Sequence, residues 1–91
     1  MREAAEMLAI QALAFIAEDP GQLTRFLGMT GIEAGKIRAA AREEGFLAAV
    51  LEHMLADENL LIRFAESAGV DPAAIARASD ALGGRSERNT P

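Results

Sequence analysis

The only histidine, His53, is the one side chain here whose ordinary pKa lies near neutrality. Work as a general base or a metal ligand needs partners. Asp57 stands four residues further on and can share a helix face with it. Glu52, its neighbour in sequence, points about 100° away on a helix. One histidine and one carboxylate fall short of the three or four ligands that zinc takes, and no cysteine is present to complete a set. His53 therefore reads as an interfacial or surface histidine on a helix. Adjacent carboxylates occur at Glu18-Asp19, Glu43-Glu44 and Asp57-Glu58. Acid–base catalysis needs two such groups converging on one pocket with separated pKa values. These pairs sit at expected helix ends, where negative charge at an N-terminus is stabilising in itself. Glu43-Glu44 is also a candidate start for the following helix. Gly28, Gly31 and Gly35 lack the preceding strand and the Lys-Ser/Thr of a phosphate-binding loop, and read as helix breakers. No catalytic, metal or cofactor-binding residue is assigned, and a non-enzyme without a cofactor is expected.

The segment from Phe64 to Arg77 resembles a helix-turn-helix, with Ala65, Gly69 and Ile75 at the small, turn and buried aliphatic positions. Leu27, Gly31 and Ile37 repeat it earlier, with Leu in place of the small residue. A recognition helix must offer side chains to base edges and phosphates. The later copy offers mostly Ala, with Asp71 and Asp80. The earlier one offers Lys36, Arg38 and Arg42, flanked by Glu33, Glu43 and Glu44, with Arg38 and Arg42 on one helix face. DNA binding would require Arg25, Lys36, Arg38 and Arg42 to form a single positive surface. The plainer reading is a corner used for packing, with Lys36, Arg38 and Arg42 as a candidate interaction surface.

The elements that position these residues are helical. A first helix is expected over about 2–17, with Met7, Leu8, Ile10, Leu13, Phe15 and Ile16 covering more than half its circumference. Asp19-Pro20 supplies an N-cap and a first-turn proline, and Gly31 ends the second helix. A third is expected over about 33–44, broken by Gly45, and a fourth over 46–56. Asp57 caps the fifth and Gly69 ends it. Val70-Asp71-Pro72 opens the sixth, which runs to about Leu82.

Shifted by 38 residues, the chain matches itself at its caps, breakers and anchors. Leu13 meets Leu51, Asp19 meets Asp57, and Arg25-Phe26 meets Arg63-Phe64. Gly31 meets Gly69, Ile37 meets Ile75, and Gly45 meets Gly83. The expected architecture is an all-α bundle of about six short helices in one domain, residues 1–84. Two pseudo-repeated three-helix units, about 8–45 and 46–83, pack with approximate two-fold symmetry. Residues 85–91 form a polar tail expected to be disordered.

Composition agrees. The chain has 91 residues, 51% of them hydrophobic and many of those Ala, with aromatics at only 4%. That balance favours helices over strands. Net charge is −5, with acidic and basic residues spread over both halves, which argues against nucleic acid as a partner. The longest apolar run, 7–17, is too short to span a membrane, and Glu3 and Glu6 oppose a signal peptide. A cytoplasmic protein is expected.

The runs Ala14-Phe15-Ile16-Ala17-Glu18-Asp19-Pro20, Arg25-Phe26-Leu27, Gly31-Ile32, Gly45-Phe46-Leu47-Ala48-Ala49-Val50-Leu51 and Phe64 to Pro72 resemble an alphaproteobacterial family of short proteins, domain of unknown function 3572. The likeness covers about residues 6–82. It implies a compact helical bacterial protein and carries over no functional residue. The leading expectation is a protein-interaction module, with a homodimer as one form of it. The alternative is a helix-turn-helix-like DNA-binding regulator. The motive is apolar surface on the first and fourth helices beyond what a small bundle buries.

Overall fold

The computed structural model describes residues 2–83, so the tail expected over 85–91 lies outside the described residues. Six α-helices and a 3-10 turn follow one another, with no strand among the described residues. They are α1 (Arg2–Ala17), α2 (Pro20–Thr30), the 3-10 turn (Ala34–Lys36), α3 (Ile37–Ala40), α4 (Glu44–Leu55), α5 (Glu58–Ala68) and α6 (Pro72–Ala81). The Cα radius of gyration is 12.3 Å, against about 12 Å for a folded chain of this length.

The caps explain the boundaries. Asp19 Oδ1 accepts from the backbone N–H groups of Gly21 (3.0 Å) and Gln22 (3.3 Å), with Pro20 in the first turn of α2. Asp57 accepts from Leu60 N–H at 3.2 Å and Asp71 from Ala73 N–H at 2.8 Å, satisfying donors that helix starts leave orphaned. α2 and α5 each end on a left-handed glycine, Gly31 at φ 75° and Gly69 at φ 72°. At both, the glycine N–H returns to a carbonyl four residues back, Leu27 and Ala65.

α4 is the central helix. Phe46, Leu47, Ala48, Val50, Leu51 and Met54 are all buried, so the apolar excess expected to remain on the fourth helix is absorbed by its neighbours α1, α5 and α6. α1 turns Ala5, Ala9, Ala12 and Ile16 inward at helical spacing. α6 packs on both α1 and α4 through Ile75, Ala78 and Ser79, with Leu82 closing the end.

Two expectations are corrected. The helix expected over 33–44 is a 3-10 turn followed by four α-helical residues, and residues 41–43 form a turn. α4 then starts at Glu44, so Gly45 lies inside its first turn and breaks nothing. In consequence the third elements are unequal. α6 joins the core between α1 and α4, while α3 makes its main contacts with the adjoining 3-10 turn and reaches the core only through half-buried Ile37 and Ala40. The third elements therefore do not match in length or in packing.

Candidate functional site

The candidate interaction residues Lys36, Arg38 and Arg42 are all exposed. Lys36 closes the 3-10 turn, Arg38 is on α3, and Arg42 is in the turn beyond it, its N–H donating to Ala39 O at 3.2 Å. Because α3 stops at Ala40, Arg38 and Arg42 do not share a helix face. Arg25 is held elsewhere: its Nη1 lies 3.8 Å from Asp57 Oδ2, on the α2–α5 side. A four-residue helix is barely one turn, too short to lie in a groove as a recognition helix does.

The surface carries two pairs of hollows related by the 38-residue offset. One hollow, of about 390 Å³, is lined by Gln11, Ala14, Phe15, Glu18, Phe64, Ser67 and Ala68. Another, of about 260 Å³, is lined by Ala49, Glu52, His53, Ala56, Phe26, Met29 and Thr30. These are the same seven positions with the halves exchanged. Ring contacts follow: Phe15 meets Phe64 at 5.5 Å between centroids, and His53 meets Phe26 at 5.2 Å. The matching arginines also correspond. Arg63 stands 5.9 Å from the centre of the Phe15 ring, and Arg25 lies beside His53 in a second hollow with Asp57 and Glu58.

The differences within this correspondence are chemical. Phe15 presents a hydrocarbon ring to Arg63, a cation–π arrangement. His53 presents an imidazole whose Nε2 is buried without a hydrogen-bond partner. Burial lowers the His53 pKa below its ordinary 6.5, Arg25 lowers it further, and Asp57 opposes both. Asp57 shares the hollow yet does not pair with the imidazole. One of its oxygens caps α5 and the other faces Arg25. The arrangement therefore supplies no histidine–carboxylate dyad, and no group of three or more potential metal ligands occurs among the described residues.

The remaining feature is α1. Met7 is 63% exposed and Ile10 49%. Ala14 and Ala17 continue the same outward stripe at helical spacing, one turn apart each time. The position corresponding to Ile10 in the other half is Ala48, which is buried on α4, where α6 packs. Sequence reasoning placed apolar excess on α1 but not the side that stays open. The paired hollows also had a signal that was half read: Arg25 and Arg63 were matched at 38 residues, while Phe15 and His53, which stand at the same offset, were not.

Among the described residues no helix is long and apolar enough to cross a membrane. No curated protein and no solved structure matches the chain. Residues 2–85 match the model of a family described as protein of unknown function (DUF3572), and the chain belongs to that family.

Proposed function

We propose that this protein is a non-enzymatic interaction module of the cytoplasm, and that its contact face is the outer stripe of α1. The observation that carries the reading is the exposure of Met7 and Ile10 side by side on one helix. Scattered single apolar residues are ordinary on a protein surface, whereas adjoining ones mark contact sites. Ala14 and Ala17 extend the stripe with small side chains that let another backbone approach closely. The exposed basic residues Lys36, Arg38 and Arg42 are a second, polar candidate surface that would favour an acidic partner. Nucleic-acid binding has weaker support, because the segment carrying those charges has one helical turn and Arg25 stands beside the carboxylate of Asp57, away from it.

The test is affinity capture from a lysate of the source organism, with wild type and Ile10→Glu as parallel baits and mass spectrometry as the readout. A specific set of proteins lost from the Ile10→Glu bait is expected. The reading fails if both baits recover the same set, or if only a Lys36→Glu/Arg38→Glu bait loses it. Binding of a random duplex at low salt that Lys36→Glu abolishes would move the assignment to nucleic acid.

A further inference from the structure

We infer that the hollow around His53 is an acid-sensitive switch, in which Asp57 changes partner from Arg25 to the protonated imidazole and Arg25 is set free. This goes beyond the interaction reading and does not depend on the α1 stripe. The three groups line one hollow, together with Met29, Ala56 and Glu58. His53, Met29 and Ala56 also line the adjoining hollow, where Phe26 and Glu52 join them. The charged groups around the imidazole are therefore Arg25 on α2, Glu52 on its own helix α4, and Asp57 and Glu58 at the start of α5.

With the ring neutral, it lies against Phe26, the planes crossing at 73°, and its Nε2 is buried without a partner. Leaving a neutral nitrogen unpaired costs far less than leaving a buried charge unpaired. A proton taken from solvent puts an N–H on both ring nitrogens and a positive charge on the ring. The ring then needs an acceptor, and the hollows leave it room to turn. Asp57 is the carboxylate placed to serve. It stands four residues beyond His53, and its cap bond to Leu60 N–H, at 3.2 Å, anchors one oxygen. The other oxygen holds Arg25 loosely, at 3.8 Å from a side chain that is 63% exposed, and so exposed a pair contributes little. Burial and Arg25 oppose the charged imidazole, while Asp57 favours it. Exchange of partners strengthens the favourable interaction and lets Arg25 swing away, so both changes stabilise the protonated ring. Glu58 is exposed, and Glu52 points about 100° from His53 around α4. The matched hollow lacks the switch. Asp19 and Arg63 line it with Phe15, a ring that takes no proton.

A nuclear magnetic resonance titration of the isotope-labelled full chain, from about pH 8 to about pH 5, tests the exchange. The His53 Cε1–H signal should titrate with a midpoint below 6.5. The Arg25 Cδ–H signals should move with the same midpoint, and those of Arg63 should stay. Overhauser contacts between the His53 and Phe26 rings should weaken below the midpoint. In His53→Phe the Arg25 signals should lose their titration. Asp57→Asn keeps a capping side chain and should lower the His53 midpoint, whereas Arg25→Gln should raise it. Arg25 signals that stay still, that move as much in His53→Phe, or that are matched by Arg63 would overturn the switch. So would ring contacts unchanged at low pH. A midpoint moved by Glu58→Gln or Glu52→Gln and not by Asp57→Asn would overturn the assignment to Asp57.

Discussion

The corner at residues 31–44 and the corner at 69–82 start alike and finish differently. Both leave a left-handed glycine, and both pass through an extended residue before the next helix. Glu33 sits at φ −76°, ψ 143° and Asp71 at φ −73°, ψ 136°. The backbone is thus set for an N-cap in both places. Asp71 makes the capping hydrogen bond and is followed by Pro72, and ten helical residues result. Glu33 makes none and is followed by Ala34 and Gly35, and the chain turns in a 3-10 manner before four helical residues. A glutamate carries one methylene more than the side chains that cap well, and a glycine in the first turn adds backbone entropy to be lost. The lesson is that the frame alone does not determine helix length. The capping side chain decides whether the same turn grows into a core helix or stays on the rim.

The largest expected contrast is in the matched isoleucines. Ile75 is fully buried, and Ile75→Ala should cost about 2–5 kcal/mol in urea denaturation. Ile37 is only half-buried, and Ile37→Ala should cost about 1 kcal/mol, because it takes less apolar area out of the interior. Equal costs would mean the first corner is as much a part of the core as the second.

Next in size is a graft of the better start onto the poorer one. A Cβ at Gly35 would meet nothing within 4 Å, so Gly35→Ala is free of steric conflict. Glu33→Asp with Gly35→Ala should gain about 1–2 kcal/mol and slow amide exchange over residues 37–42. A gain in stability without slower exchange there would show that something other than capping keeps α3 short. Asp71→Ala should cost about 1 kcal/mol, while Glu33→Ala should change stability by no more than about 0.5 kcal/mol.

The smallest effect separates the paired hollows. The folded state holds the His53 pKa below 6.5, so the unfolded chain takes the proton first. Stability should be full above pH 6.5, decline as the pH falls from there, and level off below the folded pKa. His53→Phe, which installs the residue found at the matching position, should remove that decline relative to wild type between pH 7 and 5. A decline that persists in His53→Phe would assign it to carboxylates instead.

Much of the frame was legible because caps and left-handed glycines are local chemistry. Asp19-Pro20, Gly31, Asp57, Gly69 and Asp71-Pro72 mark their boundaries without reference to the rest of the chain. The third helix was misread because Ile37 and Ala40 have helical spacing, and spacing is silent on whether the first turn can form. The open side of α1 was hidden for a related reason. Met7 and Ile10 are as apolar as Leu8 and Leu13, and only the packing of the other helices decides which of them stay uncovered. Lys36, Arg38 and Arg42 were chosen for charge, and the helix face expected to join Arg38 and Arg42 is not formed because α3 ends at Ala40. The hollows depend on contacts between halves, which no local pattern encodes.

Because α1 finds its main partners in α4 and α6, its docking surface precedes them in time as well as in sequence. At ordinary rates of synthesis, roughly 3–10 s separate completion of α1 from the start of α6. Through that interval one side of α1 waits for its last partner, and closing the contact afterwards requires a long loop to be ordered. A chaperone that shields newly made chains has its natural target in those seconds, on a helix that is almost wholly enclosed on one side once the last one arrives.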